Sequence, residues 1–258
     1  MRIFLFLVAF LMATSARADR ASDLAQELTN PVASLISVPF QFNYDTGYGP
    51  NGDGRRTFLN LQPVVPISLG EDWNLISRTI LPVIDQSDVI PGSSQTGIGD
   101  VLQSLFFSPK APTAGGVIWG VGPAFLLPTG GQNLGADQWA AGVTGVALKQ
   151  SGGWTYGVLA NHLWDVGGGS TDISSSFVQP FLTYTTPTAW TFALNSETTY
   201  DWIANDTALP VNLTATKLVT IGQQPISIGG GVRYWVDSTT NGPDGWGARL
   251  MVTLLFPK

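Results

Sequence analysis

The chain has 258 residues, no cysteine, a formal net charge of −6 and only 12% charged residues, although 44% of its residues are hydrophobic. The lack of cysteine excludes a disulfide scaffold and a cysteine metal site, and an acidic chain without a basic patch argues against nucleic-acid binding. After residue 18, no stretch is apolar for the ~20 residues that a transmembrane helix needs, so alternation must spread the apolar residues along the chain.

The N-terminus is typical of a secretory signal peptide. Arg2 precedes an apolar run over residues 3–13, and the small residues Ala16 and Ala18 follow. We expect cleavage after Ala18, because the apolar run is too short to anchor the chain in a bilayer. The sequence therefore predicts a signal peptide over residues 1–18 and an exported product.

Residues 19–31 are predicted to form a short periplasmic segment. Ser22 is a suitable helix cap, and Leu24 and Leu28 fall on one face of the helix that would follow. We expect this helix at the periplasmic mouth of the β-sheet structure that follows it in the chain. The alternative is a leader without ordered structure.

The remainder, residues 32–258, shows the period-2 pattern of β-strands. In the first strand one face carries only apolar and aromatic residues, whereas Ser37, Gln41 and Asn43 lie on the other face. Similar segments recur along the chain and predict twelve strands: 36–44, 59–67, 73–84, 98–108, 116–127, 139–149, 154–164, 176–185, 190–202, 209–221, 226–236 and 246–256. An even number of such strands predicts an all-β fold, a transmembrane antiparallel β-barrel with lipid-facing apolar residues.

The connections between these strands alternate in length. Short ones are expected at 68–72, 109–115, 150–153, 186–189 and 222–225, and longer ones at 45–56, 85–97, 128–138, 165–175, 203–208 and 237–245. Short periplasmic turns and longer external loops are characteristic of outer-membrane barrels. The loop pattern therefore supports the strand order.

Tryptophan and proline occupy informative positions. Eight of the nine tryptophans open or close a predicted strand, as expected for indoles at a membrane–water boundary. Six prolines fall inside predicted strands: Pro39, Pro63, Pro66, Pro82, Pro123 and Pro180. Because proline cannot donate to a β-ladder, we expect each of them near a rim or at a bulge.

Short motifs in a characteristic order resemble one family of outer-membrane proteins, named for the MetA pathway of phenol degradation. They cover nearly all of residues 23–256 and include Val38-Pro39-Phe40-Gln41, Leu61-Gln62-Pro63, Gly97-Ile98-Gly99-Asp100, Gly120-Val121-Gly122-Pro123, Gln179-Pro180-Phe181 and Arg233-Tyr234. The resemblance implies a barrel with a transport role and no assigned substrate. The chain departs from the commonest barrel ending, because Pro257 and Lys258 follow Phe256.

The predicted inner face carries few charges. The candidates for the solute path are Arg78, Asp100, Glu197, Asp201, Arg233, Arg249, Gln41, Asn43, Asn60, Gln62 and Gln179. Charges in a pore can select solutes, or they can pair with one another and brace the wall. The sequence leaves both roles open for them.

The sequence predicts a channel of the bacterial outer membrane for passive uptake of small solutes, including aromatic or hydrophobic ones. Its expected partners are the lipid bilayer, lipopolysaccharide, the outer-membrane assembly machinery and the solute; no cofactor, metal or catalytic residue is expected. A sealed structural barrel and an outer-membrane lipid hydrolase are the alternatives, and a soluble β-sandwich is a third.

A hydrolase needs a serine beside the only histidine, His162. Trp164 occupies the position two residues later, so the serine would have to come from a neighbouring strand such as 174–176.

Overall fold

A computed structural model describes residues 20–167, 169 and 171–257, which include one short helix over residues 20–27 and a large β-sheet. The predicted signal peptide, residues 1–18, lies outside the described residues. Within the described ranges, no helix has the length and apolarity of a membrane span.

The sheet is antiparallel and closed, as the alternation predicts. Its segments are β1 (Ile36–Tyr48), β2 (Gly54–Leu61), β3 (Val64–Ser68), β4 (Trp73–Ser87), β5 (Ser94–Ile98), β6 (Val101–Pro109), β7 (Val117–Leu127), β8 (Trp139–Ser151), β9 (Trp154–Gly167), β10 (Ser174–Thr185), β11 (Trp190–Ser196), β12 (Thr198–Asp201), β13 (Asp206–Ile221), β14 (Gln224–Asp237) and β15 (Gly245–Phe256). Three pairs of segments, β2–β3, β5–β6 and β11–β12, each continue one another, so the wall is a twelve-strand barrel. The first and last strands, β1 and β15, pair over nine residues and complete the closure.

Side chains alternate between the outer surface and the interior. In β15, Leu250 and Val252 are 61% and 39% exposed, whereas the flanking residues Arg249 and Thr253 are 2% and 3% exposed. The same phase continues around the wall, so large apolar side chains cover the outside and polar ones line much of the inside. This arrangement is the reverse of a soluble protein and fits a lipid-facing barrel.

Exposed tryptophans form two groups on the outer surface. One group lies where the short connections are (Trp73, Trp154, Trp190), and the other lies at the opposite end (Trp139, Trp164, Trp202, Trp246). This distribution matches the two interfacial aromatic girdles of membrane barrels. Trp235 differs, because its indole points inward.

The connections keep the predicted asymmetry, although several strands extend further than predicted. The short ones, 69–72, 110–116, 152–153, 186–189 and 222–223, define what we call the turn end, and the others define the loop end. In the two-residue hairpins, Gly152 and Gly222 have φ of 56° and 65°, which glycine adopts without strain. That the turn end faces the periplasm stays a prediction.

The interruptions of the wall occur beside prolines, as expected from the missing donors. Pro63 separates β2 from β3, and Pro39 lies across from the same break. Pro82 lies across from the second break, where the register between β4 and the β5–β6 strand shifts and a bulge forms at residues 99–101. Because proline lacks an N–H group, the hydrogen-bond ladder is interrupted at these points, and nearby side chains need not alternate between the inside and the outside.

The interior of the turn end is filled by residues that precede the first strand. Ala25, Ala33 and Leu35 pack against wall residues of β13 and β15, including Leu218 and Leu255. Val32 completes a second apolar cluster with five wall residues: Ile76, Phe106, Val146, Leu148 and Leu159. We call residues 20–35 the N-terminal segment, and its packing narrows the barrel at this end.

Candidate functional site

Four charged side chains meet inside the barrel and form what we call the charged cluster: Asp45, Glu197, Arg233 and Arg249. Both terminal nitrogens of Arg249 donate to the Glu197 carboxylate, at 2.9 and 2.8 Å. Arg233 bridges the two acids, with Nη2 at 3.0 Å from Glu197 Oε2 and Nη1 at 3.3 Å from Asp45 Oδ2. Two arginines therefore balance two carboxylates.

Neutral groups add hydrogen bonds to the charged cluster, although Nε of Arg233 is buried without a partner among the described residues. Asn43 accepts a hydrogen bond of 2.7 Å from Nε of Arg249, and the Trp235 indole donates one of 3.1 Å to Asp45. The contacts link β1, β14 and β15, and so extend across the seam where the first and last strands meet. Buried charges need such partners, because the desolvation of an isolated ion is costly.

Glu197 owes its position to the third break in the wall, between β11 and β12. The pairing on either side of the break places Glu197 between Gln179 of β10 and Pro210 of β13, and Pro180 is the next residue along β10. Glu197 N–H donates to the carbonyl of Pro210 at 3.2 Å, but Pro210 has no N–H to return. The carboxylate is thus held at mid-wall height beside a weakened ladder.

Asp45 is a member of the site that the sequence reading assigned to an external loop. The structure extends β1 to Tyr48, and the Asp45 side chain is 0% exposed within the barrel. The signal was present: Gln41, Asn43 and Asp45 share one phase of the alternation. Because the predicted strand ended at residue 44, Asp45 was assigned to the loop that follows.

Arg78 also points inward but has a different environment. Its Nη2 donates to Gln62 Oε1 at 3.0 Å. Among the described residues, no carboxylate lies within 4.0 Å of its guanidinium, because the three ion pairs of the barrel belong to Arg233 and Arg249. Arg78 is therefore a lumen charge without a direct ion pair, and Glu197 attracts it only at longer range across the middle cavity.

Three cavities follow one another along the barrel. The loop-end cavity, of about 260 Å³, is lined by Asp45, Arg233 and Trp235 among others and shares Asn60 with the middle cavity. The middle cavity has a volume of about 290 Å³. Six of the predicted path residues line it: Gln41, Asn60, Gln62, Arg78, Gln179 and Glu197. A third cavity of about 140 Å³ shares Gln62 and Arg78 with the middle one and borders the N-terminal segment.

Asp100 and Asp201 are not part of this group. The Asp100 carboxylate accepts hydrogen bonds from the amides of Gly130 and Ala136, at 2.8 and 2.6 Å, and so shapes the 128–138 loop. Asp201 accepts from the amides of Ile203 and Ala204 in a turn at the loop end. The alternation gave both a polar-face position, but these contacts commit both carboxylates to loop backbone instead of the path.

Hydrogen bonds fasten the N-terminal segment to the inner wall. Gln26 donates to the carbonyl of Gly152 at 2.6 Å, and Thr29 donates to the Thr155 hydroxyl at 2.7 Å. Gln150 returns a bond of 3.0 Å to the carbonyl of Gln26. The short helix thus lies within the turn end of the barrel, where it reduces the opening.

His162 faces outward and forms a small polar cluster on the lipid side. Its Nδ1 lies 2.7 Å from the hydroxyl of Ser176 on the adjacent strand, and the Trp202 indole donates to the same hydroxyl at 2.9 Å. His162 Nε2 is buried and has no hydrogen-bond partner in the described part of the chain. A serine therefore does approach His162 from the neighbouring strand, but none of the described residues orients the ring through Nε2 as a catalytic triad requires.

The fold is that of known outer-membrane barrels. The COG4313 outer membrane channel from Pseudomonas putida F1 superposes with a TM-score of 0.66 at 17% identity, over 86% of this chain and 96% of that chain. Outer membrane phospholipase A from Escherichia coli gives a TM-score of 0.50 at 11% identity, over 86% and 92% of the two chains. No protein-family profile matches the sequence, and no curated protein matches it either. At these identities the similarity establishes the fold alone.

Proposed function

We propose that this protein is an outer-membrane channel that admits small solutes by passive diffusion. The observation that carries the proposal is the row of cavities inside the barrel, with polar and charged residues along their walls. A barrel that served only as a structural element would be expected to fill its interior with packed side chains. The apolar outer surface with its two groups of tryptophans supports the location.

The mixed lining of the middle cavity supports small and partly apolar solutes. Phe177, Leu102 and Ile80 lie beside the amides of Gln62 and Gln179 in its wall. Ligand cavities for drug-sized molecules measure ~300–1,000 Å³, so a volume of about 290 Å³ suits a smaller solute. The path is therefore narrow in comparison with a general porin.

The N-terminal segment sets the main condition on this function. With Val32 and Leu35 packed against the wall, the turn end is largely filled, and passage requires a narrow route beside the segment or its displacement. The alternative of a sealed structural barrel rests on the same packing. The two proposals differ in whether ions cross the folded protein.

Conductance in planar bilayers tests the proposal. Mature protein whose folding is verified by heat-dependent gel mobility should give discrete current steps, and deletion of residues 20–33 should increase the step size severalfold. A matched control removes the exposed tip of a loop at the other end, residues 239–242, and should leave the steps unchanged. Silence from both the intact protein and the deletion variant would contradict a channel and favour the sealed barrel.

A second candidate function, a lipid hydrolase, is favoured by one observation: the contact between His162 and Ser176 on the outer surface. The lack of an orienting partner for His162 weighs against it, and we propose that the protein is not an enzyme. Release of fatty acid from phospholipid in mixed micelles tests this. Activity that disappears in Ser176→Ala would establish the hydrolase, whereas equal background in both proteins supports the channel.

A further inference from the structure

One arginine inside the barrel, Arg78, has no carboxylate within ion-pair distance among the described residues. In the charged cluster, Arg233 and Arg249 are matched by Asp45 and Glu197. Arg78 lines the same cavity as Glu197, yet Glu197 is already shared between the other two arginines. Glu27 of the N-terminal segment borders the third cavity together with Arg78 but forms no ion pair with it. The Arg78 guanidinium therefore keeps donors that no described carboxylate takes up.

The surroundings of Arg78 offer more hydrogen-bonding groups than the wall uses. Gln41, Asn60 and Gln179 line the middle cavity, and no hydrogen bond within the described ranges engages their side chains. Gln62 accepts from Arg78 and keeps its amide N–H groups. Gln41 and Asn60 are paired on the adjacent strands β1 and β2, Gln62 directly follows β2, and Gln179 lies on β10 at the opposite side of the barrel.

An apolar layer adjoins this polar layer on the side of the loop end. Ile80 is two residues beyond Arg78 along β4 and pairs with Leu102, and Phe177 is two residues nearer the loop end than Gln179 along β10. All three line the middle cavity together with Leu163. The cavity thus has an apolar group of side chains next to Arg78 and its neighbouring amides, and its lining also includes polar Asn161, Ser175 and Thr199 and the carboxylate of Glu197.

A guanidinium in a confined, partly apolar space attracts an anion strongly, because little water competes for it. Its planar fork of donors matches a carboxylate, which can accept two parallel hydrogen bonds. Neutral amides nearby can donate to the remaining lone pairs of a carboxylate. A cation, in contrast, would meet Arg78 with repulsion.

We propose that the middle cavity binds a small organic monocarboxylate, with its carboxylate at Arg78 and a compact apolar body, such as an aromatic ring, against Ile80, Leu102 and Phe177. This inference rests on the proposed function, because it names the solute class of the same path. The site would make the channel selective for such acids over neutral and cationic molecules of equal size.

Equilibrium binding to the full mature protein in detergent tests the site, with three probes followed by calorimetry at pH 7. Benzoate carries both features, benzyl alcohol lacks the charge, and acetate lacks the apolar body. We expect benzoate to bind most tightly and Arg78→Gln to weaken it by about tenfold or more, with little change for benzyl alcohol. The control Arg55→Gln removes an exposed charge of β2 and should change no affinity.

Phe177→Ala provides an independent variant, which should weaken benzoate and benzyl alcohol alike but not acetate. Equal affinity of the wild-type protein for benzoate and benzyl alcohol would overturn the proposal, as would unchanged benzoate affinity in folded Arg78→Gln. If Arg78→Gln does not fold, Arg78→Lys is measured instead. Equal affinity of the Arg78→Lys variant for benzoate and benzyl alcohol would likewise contradict the proposal.

Channel recordings on the same samples separate this inference from the proposed function. Current steps without benzoate binding would refute the site and leave the channel intact. Benzoate binding without current at any voltage would refute the channel and leave the site.

Discussion

The barrel interior is closed in two different ways at two heights. Near its middle and the loop end, the charged cluster consists entirely of wall residues, and Glu197 and Arg249 are held by the strands themselves. At the turn end, the apolar cluster around Val32 is complete only because the N-terminal segment enters the barrel. The first closure is part of the wall, whereas the second depends on a segment that can be removed while every strand remains.

This difference separates stability from permeability. Loss of a charge in the charged cluster leaves buried groups unpaired within the wall, and the whole barrel should become less stable. Weaker packing of the segment should instead affect its docking and the width of the path. Three substitutions test this division, and a fourth tests a loop that belongs to neither closure.

Glu197→Gln should have the largest effect. The substitution keeps the side-chain size but leaves Arg249 and Arg233 without the shared carboxylate, and removal of one partner from a buried ion pair typically costs about 3–5 kcal/mol. We expect a loss of this order in the unfolding free energy, measured by urea titration in detergent with tryptophan fluorescence. Asp172→Asn, in an exposed loop, is the control, and an equal loss in both variants would refute a stabilising cluster.

Val32→Ala should act on the other closure. Removal of two methyl groups from a site that is 5% exposed should weaken the docking of the segment by about 2 kcal/mol. The unfolding free energy of the barrel should change little, whereas channel openings should become more frequent in bilayer recordings. Val166→Ala, on the exposed outer surface, serves as the control. Reduced barrel stability with unchanged openings would show that the segment is an integral part of the wall.

Asp100→Asn concerns the 128–138 loop at the loop end. Loss of charge weakens the hydrogen bonds from the amides of Gly130 and Ala136, by about 1.5 kcal/mol in all. The loop should become more sensitive to limited proteolysis, while conductance through the middle cavity keeps its selectivity. Asp137→Asn, exposed in the same loop, provides the comparison, and equal cleavage rates in the two variants would argue against the role of Asp100.

Thr29→Val should have the smallest effect. Valine keeps the shape but removes the hydroxyl that donates to Thr155, a contribution of about 1 kcal/mol. We expect slightly faster amide hydrogen exchange in residues 24–33 and no change elsewhere. The control Thr240→Val, in an exposed loop, should leave amide hydrogen exchange in residues 24–33 unchanged. Faster exchange throughout β9 would instead indicate that the hydrogen bond stabilises the wall.

Much of the fold could be read from local patterns. Alternation along 36–44 and the later segments identified the strands and the inward phase, since a strand with one lipid-facing side must repeat every two residues. The even strand number and the loop asymmetry followed from the same pattern, and the short N-terminal helix followed from the Ser22 cap and the spacing of Leu24 and Leu28; all three are confirmed. The family resemblance and the signal peptide stay predictions.

The residues of the candidate site could be predicted from the sequence only in part. The inward phase of Arg233, Arg249 and Glu197 was predicted, but the choice between mutual pairing and solute binding was open. Asp45 was missed because strand β1 continues beyond residue 44. Asp100 belongs to the loop, because the bulge opposite Pro82 allows its carboxylate to reach the amides of the 128–138 loop.

The sequence by itself determined the class of fold, the lipid-facing surface and the set of polar residues that point inward, because these depend on spacing along one strand. Only the tertiary structure decided which charges meet. Asn43 and Arg249 are 206 residues apart, and closure of β1 against β15 brings them together, whereas Arg78 lies on strand β4, away from that seam. Ion pairing depends on distances of a few ångströms between strands, and only the register and closure of the barrel fix those distances.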